Sequence, residues 1–412
     1  MNRQIILCLL TWWLLTLLKG MKMVKLIDDE LFSQIEEHLK CSEQSWLMGA
    51  GISFDAKLPL MYPLTNKVKK DVKSSHKELY DEIITPLFKE LPENCHIEHV
   101  LSHLGDYAAL AERNKNKKIK INGNEVELAS LEEAHNNVLE SISNVIRCGY
   151  VEDKDGSTLE EGTLSEPIVD IEAHLEFVDT LFNHASAGVH ERRKTVNIFT
   201  TNYDTLLEDA LALNKIPYWD GFAGGAVAHR IQRYGESAPL NGQRVNLIKM
   251  HGSIDWFLCE KGYVWRVRDN DRYPKVDRRV LIYPQATKYI ATQQDPFSSQ
   301  FDLFRKSLNS NNSNTLAVCG YSFGDDHINN EIEFALSKEE NKTVLLAFLE
   351  CRDGIPACLE RWRNSSFGSR IIIASLHGLY VGSQGPFKRK DDDDYWWTFR
   401  GVTSVLKNGC EV

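Results

Sequence analysis

The 412-residue sequence lacks any pair of cysteines separated by two residues, although it contains nine cysteines. Zinc ribbons and related structural zinc sites take their ligands from such pairs, so this class of metal site is excluded. The odd number of cysteines and their scattered, apolar surroundings favour reduced thiols in a reducing compartment. We therefore expect neither a zinc module nor any other bound metal.

An excess of positive charge is also missing. The chain has 48 Lys and Arg against 58 Asp and Glu, a formal net charge of −10. This balance argues against direct nucleic-acid binding, which usually needs a basic surface. Short basic runs at 115–120 and 192–194 are explained as solvated surface. There is also no P-loop, internal repeat or low-complexity tract, so we expect no appended sensor domain or repeat array.

An apolar run at the N-terminus, IILCLLTWWLLTLL (5–18), is 14 residues long, whereas a membrane-spanning helix needs about 20. It follows Arg3 as in an export signal, but no small-residue cleavage site comes after it. Three explanations stay open: an export signal, a membrane anchor, or an extension from a start codon upstream of Met21 and Met23. We favour the third and expect no membrane partner, because the rest of the sequence is typical of a cytoplasmic protein.

Short apolar runs with abrupt polar ends recur along the rest of the chain. Most lack the alternation of a half-exposed strand, so they fit strands buried on both faces. Helical patterns follow several of them, which predicts an α/β fold with a Rossmann-like, doubly wound, mainly parallel sheet. The runs are SWLM (45–48), VNIFTT (196–201), VNLIKM (245–250), VLIYP (280–284), TLAVC (315–319), TVLLAFL (343–349) and RIIIAS (370–375).

The first and second runs are much farther apart than an ordinary crossover requires. Helical patterns fill the intervening residues 66–194 and predict a large helical insertion, while an aromatic-rich segment predicts a smaller β-hairpin insertion at 253–279. Tyr395, Trp396 and Trp397 near the C-terminus are either interface aromatics or core residues. The predicted organisation is an N-terminal extension (1–22), a Rossmann domain (23–65 and 195–385), these two insertions, and a C-terminal tail (386–412).

Four of the predicted strands end in segments of unusual chemistry. In open α/β sheets, ligands bind outside the carboxyl ends of the strands, so these segments are the candidates for a site. They are Gly49-Ala50-Gly51-Ile52-Ser53, Thr200-Thr201-Asn202-Tyr203-Asp204, His251-Gly252-Ser253-Ile254-Asp255 and Gly320-Tyr321-Ser322-Phe323-Gly324-Asp325-Asp326-His327.

Each segment has a chemical interpretation and an ordinary structural one. Glycines let the backbone approach a phosphate or ribose, but they also make tight turns. The amide of Asn202 can donate and accept at once, and His251 can act as a general base near neutral pH. The second segment can equally supply a helix cap through Asp204 or Thr205, and the fourth through Asp325 or Asp326. A lone histidine often bonds only to a carbonyl.

Taken in order, the four segments resemble the motifs of the sirtuin family over residues 40–65 and 195–375. The resemblance implies an NAD site. Its phosphate loop would be Gly49, Ala50, Gly51 and Ser53, its nicotinamide and ribose pocket Thr201, Asn202 and Asp204, its base His251, and its far ribose contacts Gly320 and Ser322.

Two departures from the protein-deacylating sirtuins narrow the resemblance. Only Cys259 stands where those enzymes carry a four-cysteine zinc ribbon, and Phe54 to Pro59 replace their Pro-Asp-Phe-Arg run. The chain is more similar to the sirtuin-like domain of bacterial antiphage systems, which LIYPQATKY (281–289) also resembles. That likeness implies an NAD hydrolase with Asn202 and His251 as catalytic residues, acting in antiphage defence by depleting NAD. The alternatives are an NAD- or ADP-ribose-binding regulatory subunit and, less favoured, an NAD-dependent protein deacylase.

An enzyme that consumes NAD must be held inactive until it is triggered. Because no sensor domain is predicted, we expect control through assembly, either as a homo-oligomer or with a separately encoded partner. Chains of this size resemble those paired with a HerA-type ring ATPase. The C-terminal aromatics and the helical insertion are the candidate interfaces.

Overall fold

The structure is a computed structural model that describes residues 27, 29–41, 43–184, 195–239, 242–259, 261–268, 278–281, 295–309, 314–388 and 395–410. The predicted N-terminal extension and nearly all of the LIYPQATKY segment lie outside these residues. In the described part of the chain, no helix has the length and apolar character needed to cross a membrane.

The strands are short, as expected for an α/β protein. They are β1 (Gln44–Met48), β2 (Lys118–Ile121), β3 (Asn124–Glu127), β4 (Tyr150–Glu152), β5 (Thr158–Glu161), β6 (Val196–Thr200), β7 (Tyr218–Trp219), β8 (Phe222–Gly224), β9 (Val227–Arg230), β10 (Val245–Lys249), β11 (Gly252–Leu258), β12 (Val264–Val267), β13 (Arg278–Leu281), β14 (Asn314–Cys319), β15 (Thr343–Leu349), β16 (Ile371–Ser375), β17 (Gly378–Val381) and β18 (Gln384–Phe387).

The helices range from one turn to six. They are α1 (Asp29–Leu39), α2 (Met61–Ser75), α3 (Lys77–Leu79), α4 (Thr85–Glu90), α5 (Ile97–Arg113), α6 (Leu128–Cys148), α7 (Glu172–Asp179), α8 (Leu206–Leu213), α9 (Phe297–Leu308), α10 (Asp326–Leu336), α11 (Ala357–Arg363) and α12 (Phe399–Asn408). Short 3₁₀ turns lie at Ala50–Ser53 and Gly368–Arg370, and π-helical turns at Tyr80–Ile84 and Thr180–His184.

The central sheet has nine strands in the order β18-β17-β16-β15-β14-β1-β6-β10-β7. Neighbours from β16 to β7 are parallel, and only β17 and β18 are antiparallel. The strands β10-β6-β1-β14-β15-β16 follow the 3-2-1-4-5-6 order of doubly wound folds, which confirms the predicted fold class. In this order the chain reverses direction across the sheet between β1 and β14, where such folds bind ligands.

Six of the seven predicted strand runs belong to this sheet. Their residues are buried almost throughout, as in β14 and β16, because helices cover both faces of the sheet. The described part of VLIYP is a strand, as predicted, but its expected place in the parallel sheet is wrong, since β13 is antiparallel to β11 in a separate sheet. An apolar run shows that a strand is buried but does not show which sheet buries it.

The two faces of the central sheet have separate cores. On one face Trp46 and Phe177 pack edge to face at 5.3 Å between ring centroids, with Phe399 of α12 beside them. On the other face Phe304 and Trp362 pack with helices α9 to α11. Aromatic pairs of this kind add to the burial of apolar area that stabilises the sheet.

Helices α2 to α6 form a third core of their own, to which Tyr203 and Ile254 contribute. Helix α7 instead packs on the central sheet, through Ala173, Phe177 and Val178. The strands β13-β11-β12-β9-β8 make a second, antiparallel sheet, in which β11 and β12 form a hairpin. The division of the chain into domains and insertions stays a prediction.

Near the C-terminus the aromatic residues differ in their surroundings. Trp396 is buried, and its indole Nε1 donates to the Ser375 carbonyl at 3.1 Å. Tyr395 is 66% exposed. The core explanation therefore holds for Trp396, whereas Tyr395 is available for a contact.

Candidate functional site

The four candidate segments follow four adjacent strands. Met48 at the end of β1 is level with Cys319 of β14 on one side and Thr200 of β6 on the other, and Thr200 is level with Lys249 of β10. The carboxyl ends of β14, β1, β6 and β10 therefore lie side by side at one edge. This edge is where a doubly wound sheet binds ligands.

The glycines of the first and fourth segments are in direct backbone contact. The Gly49 N–H donates to the Cys319 carbonyl at 3.0 Å, and the Gly51 N–H donates to the Gly320 carbonyl at 2.9 Å. Gly320 has a φ of +66°, and a Cβ there would lie 2.5 Å from the Ile52 nitrogen. Glycine is required at this position on both grounds. Two amides expected to face a phosphate are therefore engaged within the protein.

A buried hydrogen-bond network joins the first and second segments. The Asn202 side-chain amide donates to the Ser53 hydroxyl at 3.0 Å, and that hydroxyl donates to Asp204 Oδ2 at 2.9 Å. Asp204 Oδ1 accepts the Leu206 N–H at 3.0 Å. Asp204 thus holds the first residue of helix α8, one position before the N-cap residue Thr205, and also belongs to the network.

The carbonyl oxygen of the Asn202 side chain is enclosed by protein and has no hydrogen-bond partner among the described residues. The backbone N–H of Asn202 donates to Thr200 Oγ1 at 3.0 Å, so the residue is otherwise well held. An unsatisfied buried acceptor costs about 1–3 kcal/mol. Such an atom in a candidate site suits a ligand or a water that donates a hydrogen bond.

His251 contacts a residue that the sequence interpretation left out of the site. Its Nε2 lies 2.8 Å from Asp325 Oδ2, and both side chains are less than a tenth exposed. Asp325 also caps helix α10, because its Oδ1 accepts the His327 N–H at 3.2 Å. The sequence predicted only a cap, at Asp325 or Asp326, and Asp325 is the N-cap residue. The contact with His251 joins the third and fourth segments.

A buried ion pair between Lys249 and Glu208 contacts the backbone of the second segment. Lys249, 2% exposed, donates through Nζ to the Asp204 carbonyl, and the same atom lies 3.0 Å from Glu208 Oε1. Burial raises the pKa of Glu208 to about 7, with a smaller effect from Asp255, while Lys249 acts in the opposite direction. Sequence reasoning missed this pair. The signal was a lysine closing an apolar strand directly before the histidine segment.

Tyr203 anchors the second segment to two other parts of the protein. Its hydroxyl donates to Glu98 Oε1 on α5 at 2.8 Å. Its carbonyl accepts the Ile254 N–H at 3.0 Å and the Ser253 hydroxyl at 3.2 Å. The backbone on either side of Asn202 and Asp204 is therefore fixed by the helical region as well as by the sheet.

The remaining predicted residues are less closely joined. The Thr201 N–H donates to the Met48 carbonyl at 3.0 Å, which extends the pairing of β6 with β1. Ala50 and Ser322 are exposed, and Ser322 forms no hydrogen bond within the described residues. The structure brings Ser53, Asn202 and Asp204 together and places His251 on the neighbouring strand end.

A cavity of about 340 Å³ adjoins Asp204 on the side of the helical region. Its charged lining residues are Asp204, Asp209, Asp255, Arg147 and Arg268. Arg268 lies 3.1 Å from Asp209 and 3.4 Å from Asp255, so most of this charge is paired. Among the residues that the structure describes, no group of three or more His, Cys, Asp or Glu could hold a metal ion.

Comparison with known proteins gives one family match. Residues 196–369 match the family model of the SIR2-like domain. The matched residues include the second, third and fourth segments but not Gly49 to Ser53, and they make up less than half of the chain. The chain therefore contains a region similar to this domain.

No curated protein matches the sequence. One similar solved structure is the crystal structure of a complex between a Sir2 homologue and NAD, at 13% identity and a TM-score of 0.33, covering 79% of this chain and 85% of that one. A likeness at this level carries no conclusion about a ligand.

Proposed function

We propose that this protein hydrolyses NAD to nicotinamide and ADP-ribose. The observation that carries the proposal is the network of Ser53, Asn202 and Asp204 at the carboxyl edge of a 3-2-1-4-5-6 sheet, with His251 at the end of the neighbouring strand. These residues stand in the order of the sirtuin motifs. The SIR2-like match over 196–369 supports the proposal, because it includes three of the four segments.

The donor set fits NAD as the substrate. The unsatisfied carbonyl oxygen of Asn202 would accept a hydrogen bond from a ribose hydroxyl or from the attacking water. The cavity beside Asp204 is large enough for a nicotinamide ring. Because the Asn202 oxygen is enclosed, the surrounding loops have to move before the substrate reaches it. A site closed in this way suits an enzyme that is held inactive.

The reaction breaks the bond between the nicotinamide nitrogen and C1′ of the ribose. The bonding electrons neutralise the positively charged pyridinium nitrogen, and positive charge builds on the ribose. Water adds at C1′ and loses one proton, so that NAD⁺ and water give nicotinamide, ADP-ribose and a proton. No redox change and no further reactant are needed.

Each residue has a defined part in this scheme. Asn202 orients the ribose or the water, and the Ser53 hydroxyl holds its amide in place. His251 accepts the proton released by the water or by a ribose hydroxyl. Asp204 fixes the network and offers its carboxylate to the developing positive charge.

We extend the proposal to the cell by the same resemblance. The protein would act in the cytoplasm in antiphage defence, depleting NAD once it is activated. Its activity would be controlled by self-assembly and by a HerA-type ATPase partner. The exposed Tyr395 and the helices α2 to α6 are the candidate contacts for such assemblies.

The test is nicotinamide release from NAD, followed by chromatography, for the protein alone and with its candidate ATPase partner. We expect turnover in at least one condition and its loss in His251→Ala and Asn202→Ala. His229→Ala and Asn330→Ala, at exposed positions, are the matched controls and should retain it. Full turnover in both site variants would refute the assignment. Calorimetric NAD binding without product would indicate the regulatory subunit, and acyl-lysine turnover would indicate a deacylase.

A further inference from the structure

Lys249 is a buried cation directly beside the candidate site. It is the last residue of β10, level with Thr200 of β6, and only 2% of its surface is exposed. Removing an ammonium group from water is costly unless other groups accept its hydrogen bonds. The groups that accept from Lys249 therefore indicate what the residue does.

Lys249 joins the second segment to helix α8. Its Nζ donates to the backbone carbonyl of Asp204 and lies 3.0 Å from Oε1 of Glu208, in the first turn of the helix. The ion pair alone does not explain a lysine here, because apolar side chains of similar volume often stabilise an interior as well as a buried pair does. The bond to the Asp204 carbonyl is different, since an apolar side chain has no N–H to donate.

Asp204 is held both at its backbone and at its side chain. Lys249 contacts the carbonyl, whereas the carboxylate accepts the Ser53 hydroxyl at 2.9 Å and the Leu206 N–H at 3.0 Å. The Ser53 hydroxyl in turn accepts the Asn202 amide at 3.0 Å. A shift of the Asp204 backbone would therefore move the carboxylate, the hydroxyl and the amide together.

We propose that Lys249 is a positioning residue for the candidate site: it holds the backbone of Asp204 and so keeps the Asn202 amide in the geometry that hydrolysis requires. The proposal rests on the NAD hydrolysis proposed above. Lys249 acts through the protein backbone and is not required to touch the substrate. Displacing a group in an active site by about 1 Å can lower turnover by about 10²-fold, so the position of this backbone should affect the rate.

The first test is Lys249→Met, which keeps an aliphatic side chain and removes the ammonium group. Burial raises the pKa of Glu208 to about 7 while Lys249 acts in the opposite direction, so without the lysine Glu208 takes up a proton and is not left as an unpaired charge. We expect kcat for nicotinamide release to fall by roughly 10- to 10²-fold. A kcat equal to that of the wild type would overturn the proposal.

Arg363→Met is the matched control. Arg363 is another buried cation, and it donates to the backbone carbonyls of Gly382 at 2.8 Å and Gln384 at 2.9 Å, and to Glu360 at 3.1 Å. These carbonyls lie beside β17 and β18, at the opposite end of the central sheet from β10. We expect the control to lose stability and keep wild-type kcat. An equal loss of kcat in both variants would show a general effect of removing a buried cation and would overturn the proposal.

A double variant separates positioning from the stability of the ion pair. Lys249→Met combined with Glu208→Leu makes both buried partners apolar, which in other proteins is often neutral or stabilising. The thermal stability should therefore recover toward that of the wild type, whereas kcat should stay low, because the Asp204 carbonyl still lacks the lysine donor. Recovery of kcat together with stability would show that Lys249 serves only the fold, and would overturn the proposal.

Backbone hydrogen exchange tests the same idea without activity. The N–H groups of Thr201 and Asn202 each donate a hydrogen bond of 3.0 Å, so they should exchange slowly in the wild type. Mass spectrometry of peptides covering residues 200–206 should show faster exchange in Lys249→Met and in the double variant, but not in Arg363→Met. Unchanged exchange in the first two would overturn the proposal. A wild type that never releases nicotinamide would instead refute the proposed function, and the exchange would still decide whether the lysine holds this loop.

Discussion

Tyr203 donates a hydrogen bond of 2.8 Å to Glu98, and both side chains are buried. Tyr203 lies in the chain between Asn202 and Asp204, whereas Glu98 lies on α5 in the core of helices α2 to α6. The loop of the candidate site is therefore held partly by helices outside the sheet. A movement of α5 would therefore shift Tyr203 and, through the chain, its neighbour Asn202.

Replacing Tyr203 by Phe tests this link. The change removes only the hydroxyl and leaves the Glu98 carboxylate buried with one donor fewer, which should cost about 1–3 kcal/mol in the free energy of unfolding. Urea denaturation measures the loss. Tyr263→Phe, at a tyrosine 65% exposed, is the control and should change stability little. An unchanged free energy of unfolding in Tyr203→Phe would mean that this hydrogen bond does not stabilise the protein.

Ser53→Ala removes the link between Asn202 and Asp204. One buried amide loses its acceptor and one carboxylate loses a donor, so we again expect a cost of about 1–3 kcal/mol. Nicotinamide release should fall as well, because Asn202 is no longer held. Ser322→Ala, at an exposed serine of the fourth segment, should be close to wild type in stability. Equal free energies of unfolding in the two variants would argue against the network.

Gly320→Ala tests the contact between the first and fourth segments. Alanine would be strained at a φ of +66°, and its Cβ would also collide with the backbone at Ile52. Gly123→Ala has a similar positive φ, +88°, but open space around it. We expect about 1–2 kcal/mol for the control from backbone strain and a clearly larger loss for Gly320→Ala. Thermal denaturation distinguishes them, and equal losses would contradict the close contact.

His174 should make the stability depend on pH. It is fully buried, and neither ring nitrogen has a hydrogen-bond partner within the described residues. Burial lowers its pKa from the usual 6.5, so below pH 6.5 the unfolded chain takes up a proton that the folded protein resists. Above pH 6.5 this histidine does not lower the free energy of unfolding. Below pH 6.5 the free energy of unfolding should fall by up to about 1.4 kcal/mol per pH unit.

The variant His174→Leu should lack this loss of stability in acid. Urea midpoints near pH 5.5 and 7.5 give the comparison, with His76→Leu at an exposed site as the control. The wild type and the control should lose stability on acidification, and His174→Leu should lose less. The same acid loss in all three proteins would show that His174 is not responsible.

The fold was predictable because its main signals are local. Strands buried on both faces leave continuous apolar runs, and their polar ends mark the edge where a site forms. The catalytic roles of Asn202 and His251 stay predictions, made from their residue types and from the order of the segments. The same reasoning misplaced VLIYP, because pairing with β11 is decided by tertiary contacts that the run itself does not encode.

The parts of the site that sequence reasoning missed are long-range pairs. Lys249 contacts Glu208 from 41 residues away, and Tyr203 contacts Glu98 from 105 residues away. No periodicity or spacing points to such partners. A cap was predicted at Asp325 or Asp326, but the contact of Asp325 with His251 follows only when β10 and β14 are placed in one sheet.

The arrangement of the four strand ends has a consequence for the synthesis of the protein. Ser53 is made early, Asn202 and His251 later, and Asp325 last of these. The strand β14, which precedes Asp325, is the neighbour of β1, so the growing chain keeps one side of β1 unpaired until residue 319 has left the ribosome. Fragments that end before this point would lack the strand that completes this edge of the sheet, so the four segments could not come together in them.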